Sequence, residues 1–361
     1  MARNQAQLGL FPAIFLAILM FECMVVAASP SQNISALLVF GDSTVDPGNN
    51  DYISTFFKSN HVPYGRDFPD HTATGRFSNG KLVTDFLASA LGLEPLVRPY
   101  LDPGLTDSNL ESGVSFASAG SGLDNGTSSI SSSIPMLKQL AYFEEYLGRL
   151  QKVAGNRTQD IISNAVFVIS VGSNDYIWTV YGVSGNDSKG NLPDYQNLLL
   201  GNLRSSIQRL HEAGGRKFTV AGLPPIGCIP LQMTLAILQK PVELVERKCI
   251  ETQNEDAKAY NSKLQAMLAS LQTELLESKV AYVDLYSLLM DMLTNPHNYG
   301  FEVTSRGCCG TGLMEAGPLC IGVVACQDAS KFLFWDAIHP TEAAYKAIAD
   351  HVLQSVLPLI L

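Results

Sequence analysis

The chain of 361 residues is poor in charge: Asp, Glu, Lys and Arg together make up only 16% of it. Cations are the scarcer sign, 24 against 34 anions, so the formal net charge is −10. No run of Lys and Arg occurs anywhere. Nucleic-acid phosphates are neutralised by clustered cations, so no nucleic-acid partner is expected. There is no internal period, which argues against a solenoid or propeller. Several motifs are also missing. Without G-x-S-x-G there is no nucleophile elbow of the α/β-hydrolase type. Without G-x-x-x-x-G-K-S/T, H-E-x-x-H or a G-x-G-x-x-G after the first strand, a phosphate loop, a zinc-protease helix and a dinucleotide turn are unsupported. What the chain has in quantity is apolar material, 46% of its residues, enough for a large core and too much for disorder.

The longest apolar run lies at the N-terminus. Arg3 precedes a 14-residue uncharged stretch, residues 8–21, and Val26-Ala27-Ala28 follows with small residues suited to cleavage. This reads as a secretory signal peptide over residues 1–28. As a membrane anchor the run falls short of the ~20 residues a span needs, and Pro12 interrupts it. The mature chain, residues 29–361, is expected to be one domain with no stable membrane insertion. It is expected to be secreted, to the extracellular space or cell wall, as a monomer. Cleavage removes Cys23 and leaves six cysteines: Cys228, Cys249, Cys308, Cys309, Cys320 and Cys326. An even number in a secreted chain suggests disulfides, with 15 possible pairings. Cys228 with Cys249 is the expected pair, the other four pairing among themselves. A zinc site on those four would lack the C-x2–4-C spacing, and no histidine lies nearby. Four N-x-S/T sequons, at Asn33, Asn125, Asn156 and Asn186, are candidate glycosylation sites.

Along the mature chain, short apolar runs end in turn residues. Residues 36–40 (ALLVF) lead into Gly41-Asp42-Ser43, and residues 165–171 (AVFVISV) into Gly172-Ser173-Asn174-Asp175. Residues 217–221 (KFTVA) and 280–284 (VAYVD) repeat the pattern. Such runs suit buried parallel strands. Between them, Leu137, Leu140, Glu144, Leu147 and Leu150 share one helical face, as do Leu199, Leu203, Ile207 and Leu210. Ala257, Tyr260, Leu264, Met267, Leu271 and Leu275 form a third face, and Pro340-Thr341-Glu342 opens a last helix. Alternating strands and helices predict a parallel sheet covered on both faces, with reacting groups on loops past the strands' carboxyl ends. Residues 231–246 are apolar and fit either a flap over a substrate or a core helix interrupted at Pro241.

The chemistry-bearing residues fall on those loops. In Asp336-Ala337-Ile338-His339-Pro340, a carboxylate and an imidazole three residues apart can pair on one turn. The carboxylate fixes the tautomer and leaves the other ring nitrogen as a general base. The other histidines, His61, His71, His211, His297 and His351, read as surface or loop residues. Ser43 is a nucleophile candidate, and equally a turn or cap serine taken alone. The Asn174 amide can donate to an oxyanion, and the glycine-rich stretch 113–122 (GVSFASAGSG) exposes backbone N–H groups.

Taken in order, FGDSTVDPGNN, GVSFASAGSG, GSNDY and WDAIHPT resemble the blocks of the plant GDSL esterase/lipase family, a branch of the SGNH hydrolases. The segment GFEVTSRGCCGTG is also of the kind seen in that branch, and the resemblance covers the whole mature chain. It implies a three-layer α/β/α sandwich, flavodoxin-like, with about five parallel strands. It implies Ser43 as nucleophile, His339 as base and Asp336 as its orienting partner. The implied oxyanion hole combines the Ser43 and Gly120 N–H groups with the Asn174 side chain. Gly113 and Gly122 are the other glycines of that block, and Ser115 stands where many relatives have Asn. The implied activity is hydrolysis of a small-molecule or lipid acyl ester through an acyl-enzyme, with no cofactor. The same acyl-enzyme would serve an acyltransferase. A non-catalytic binding protein would be expected to have lost one of Ser43, Asn174, Asp336 or His339.

Overall fold

The computed structural model describes residues 34–182, 191–239 and 247–361. The proposed signal peptide, Asn33, Asn186 and most of the stretch beyond Gln239 before Cys249 lie outside the described residues. Strand β1 (Leu37–Gly41) is followed by α1 (Val83–Ala90), β2 (Arg98–Pro99), α2 (Asp107–Ser112), β3 (Val114–Ser115) and α3 (Asn125–Ser131). Then come α4 (Met136–Ala154), α5 (Thr158–Asn164), β4 (Val166–Ser170), α6 (Leu192–Glu212), β5 (Lys217–Ala221) and α7 (Pro230–Gln239). The chain continues through α8 (Glu251–Glu274), β6 (Lys279–Val283), α9 (Leu285–Thr294), β7 (Val303–Gly307), β8 (Phe332–Phe334) and α10 (Glu342–His351).

The main sheet has six strands in the order β2-β3-β1-β4-β5-β6, all parallel, where about five were expected. Strands β2 and β3 have only two residues each, too short to show a strand period. Strand β3 falls inside the stretch expected to be a glycine-rich loop. A separate parallel pair, β7 and β8, carries the C-terminal loops.

Side-chain alternation divides the core. Leu38, Phe40, Phe167, Ile169, Phe218 and Val220 face the layer of α4, α6 and α8. Leu37, Val39, Val166, Val168, Ala281 and Val283 face α1, α9 and α10. Strands buried on both faces explain their continuous apolar sequences. On α4 the buried stripe is Met136, Gln139, Leu140, Phe143, Tyr146 and Leu150. Leu140 and Leu150 of the expected face are buried, but the face is corrected at Leu137, half exposed, and Glu144, exposed, because the packing partners are the aromatics Phe40 and Phe116. Residues 231–239 are helical with Leu231 and Met233 buried, which favours the core-helix reading for that part. Disulfides join Cys228 to Cys249, Cys308 to Cys326 and Cys309 to Cys320.

Arg76 is buried with Asp85 in a two-pronged ion pair of 2.8 and 2.9 Å. Asp85 also accepts from the Leu82 and Val97 N–H groups, and Arg76 donates to the Pro47 and Val97 carbonyls. This joins the start of α1 to the segment following Ser43. Removing one partner leaves a buried charge unmatched. Arg76→Met should therefore lower stability by about 3–5 kcal/mol, measured by denaturant unfolding.

Candidate active site

Strand β1 ends at Gly41, directly beside Ser170 at the end of β4. Gly41 has φ +143°, and a Cβ there would lie 1.9 Å from the Ser170 carbonyl oxygen, so no other residue fits. Two residues on, Ser43 projects from the sheet's carboxyl edge, and its Oγ lies 2.7 Å from His339 Nε2. His339 Nδ1 is 2.7 Å from Asp336 Oδ2. All three side chains are buried.

The D-x-x-H spacing works because the loop closes on itself. Asp336 Oδ1 accepts from the Ile338 and His339 N–H groups at 2.8 and 2.7 Å. The Trp335 N–H donates to the His339 carbonyl at 2.7 Å. Thr341 caps α10, its Oγ1 accepting from the Ala344 N–H and donating to the Phe332 carbonyl. A carboxylate can only accept, so the tautomer with its proton on Nδ1 satisfies this contact and turns the Nε2 lone pair toward the Ser43 hydroxyl.

Sequence reasoning missed the groups that hold these residues. Tyr64 is fully buried and donates to Asp336 Oδ2 at 2.6 Å, while the Gly317 N–H donates to Tyr64 Oη at 2.7 Å. Burial, together with the neighbouring Asp336 charge, pushes the Tyr64 phenol well up, so it stays a donor. Phe77 packs against the His339 ring at 4.7 Å. Gln139 clamps both polar groups of Gly41, accepting from its N–H and donating to its carbonyl, each at 2.9 Å. A glutamine on an otherwise apolar helix face was the available signal.

The oxyanion candidates come from three segments. Asn174 Oδ1 accepts from the Trp178 indole at 3.0 Å, which fixes the amide's orientation. Its Nδ2 donates one hydrogen to the Ser121 carbonyl at 2.9 Å. The other has no partner among the described residues. Neither the Ser43 nor the Gly120 N–H has a partner among the described residues. Gly120 has φ +86°, and a Cβ there would strike Ser131 Oγ at 2.5 Å.

The rest of the first block builds this region. Asn49 Nδ2 donates to the Ser115 and Ala117 carbonyls, both at 2.8 Å, and Asn50 Nδ2 to the Ala119 carbonyl at 2.9 Å. Ser115 donates from Oγ to the Val45 carbonyl at 3.0 Å. Asp46 accepts from the Gly48, Asn49 and Ala119 N–H groups. Asp175 accepts from the Leu123 and Asp124 N–H groups and the Thr127 hydroxyl.

A model for GDSL-like lipase/acylhydrolase matches residues 37–352. The chain belongs to this family. GDSL esterase/lipase At2g40250 of Arabidopsis thaliana is 50% identical to it, over 100% of both chains. GDSL esterase/lipase At1g06990 of the same plant is 43% identical over 90% of each chain, and At1g58430 is 44% identical over 92% of each. The chain is a carboxylic-ester hydrolase with the three-layer α/β/α fold of this family.

Two measurements test the site's supports. Tyr64→Phe removes one hydrogen bond to a charged group, a contribution of about 1.5–3 kcal/mol. On a p-nitrophenyl ester, kcat should fall roughly tenfold with KM unchanged. Burial pushes the Asp46 and Asp175 carboxyls up to about 7. Unfolded, they titrate near ~4, so between these values the folded chain holds the extra protons. Their contribution to stability is present below the unfolded value and lost as pH rises through about 7. Asp175→Asn should therefore flatten part of the decline of melting temperature between pH 5 and pH 8 measured by calorimetry, the rest coming from Asp46 and from Asp51, which burial pushes up to about 6.

Proposed function

We propose that the protein is a secreted serine hydrolase in which Ser43, His339 and Asp336 form the catalytic triad. The observation that carries this reading is the hydrogen-bonded line from Ser43 Oγ through His339 to Asp336, with both links at 2.7 Å. His339 Nε2 takes the Ser43 proton as Oγ bonds to the ester's carbonyl carbon. The carbonyl electrons move to oxygen, and the Ser43 N–H, the Gly120 N–H and the Asn174 amide hold the resulting oxyanion. Collapse expels the alcohol, which takes its proton from His339. Water then repeats the sequence on the acyl-enzyme and releases the acid. Asp336 holds the tautomer and stabilises the imidazolium without itself being protonated.

Secretion of residues 29–361 as one domain after removal of residues 1–28 is part of this reading. The three disulfides support it, since such bonds persist in oxidising compartments. So does the exposure of the Asn125 and Asn156 sequons. Ser43→Ala should reduce p-nitrophenyl ester turnover by at least about a thousandfold and abolish labelling by a fluorophosphonate. Asn174→Ala should cost about 10²–10³ in kcat. Equal turnover by wild type and Ser43→Ala would refute the assignment.

A further inference from the structure

We propose that the site carries a built acyl-chain subsite, a blind cavity between the sheet and the layer of α1, α9 and α10. The proposal rests on the reading of Ser43 as nucleophile. One cavity of about 110 Å³ is lined at its mouth by Ser43, Asn174 and Ile338. It continues along one face of the sheet, past Ser170 and Ala221 to Val168, Thr219 and Val283. Strand alternation puts these on the same face: Val168 pairs with Thr219, and Ala221 pairs with Val283. The opposite wall is Leu87 of α1, Leu289 of α9, and Tyr345 and Ile348 of α10, with Val352 beyond the end of α10.

The lining is apolar apart from the polar groups near the mouth, Asp42, Thr44 and Ser170 with Ser43 and Asn174, and the Thr219 and Tyr345 hydroxyls deeper in. Protein cores rarely leave voids larger than a water molecule, and an apolar void stays dry and takes apolar ligands. Here the void opens beside the nucleophile, so the group that fills it is attached to the carbonyl carbon. Helix α10 starts next to His339 and runs inward. From Tyr345 to Val352 the wall is about 10 Å deep, the reach of roughly eight methylenes. The substrate class is therefore an ester of an unbranched aliphatic acid near octanoyl in length.

The test uses the full secreted chain and p-nitrophenyl esters from acetate to palmitate. The expected profile peaks near octanoate, at least tenfold above acetate in kcat/KM. Ala221→Phe, which narrows the passage, should lower the octanoate-to-acetate ratio tenfold or more. Val352→Ala, which deepens the floor, should move the peak to longer chains, and it keeps the test open if the larger side chain prevents folding. Octanoate binding to the Ser43→Ala protein, measured by calorimetry, should be lost when Ala221→Phe is added. If wild type cleaves acetate and palmitate alike and neither variant changes the profile, the subsite is wrong while the hydrolase reading stands. If no ester is cleaved but Ser43→Ala binds octanoate in an Ala221-dependent way, the hydrolase reading fails and the cavity assignment holds.

Discussion

The close passage of β1 and β4 is the constraint on which the site depends. Where Gly41 meets Ser170 there is no room for a side chain, and the two strands end level with each other. That places the Ser43 turn and the Asn174 turn at one edge, a few residues past adjacent strands. The parallel register then fixes their relative position, since a slip of one residue would turn every buried side chain to the other face. Gln139 reinforces the passage by holding both polar groups of Gly41 with one amide.

Around that edge, buried polar side chains serve the backbone rather than the substrate. Asp46, Asn49 and Asn50 are all buried, and together they tie the first block to residues 115–119, next to Gly120. Asp175 does the same for residues 123 and 124 from the other side. Burying such groups is unfavourable unless each finds partners. Here the partners are loop N–H and C=O groups that would otherwise be unmet themselves. The result is a rigid frame around the proposed oxyanion donors, which such a role requires to be aimed in advance.

The motif residues were legible because their blocks resemble those of a known family, local spacing by itself encoding only the Asp336–His339 contact. Asp336 and His339 meet within one turn, and Ser43 and Asn174 each follow a recognisable strand. Tyr64 and Gln139 were not legible, because their partners lie 272 and 98 residues away in the chain. The α4 face was misjudged for a related reason. Leucine spacing favoured Leu137, whereas the sheet presents aromatics that select Phe143 and Tyr146 instead. Strands β2 and β3 escaped notice because two residues, one of them Pro99, carry no period.

Ser43 and His339 are 296 residues apart. On the proposed assignment the nucleophile emerges near the beginning of synthesis and its base close to the end, on a loop that needs β8 and α10 on either side. A nascent chain would then be inert until almost all of it has been translated. Any fragment ending before His339, whether from a stalled ribosome, an early stop codon or a protease cut, would lack the proposed base altogether. Timing would thus be written into the order of the segments, and a cell making this protein would meet no esterase activity from it before the chain is nearly finished.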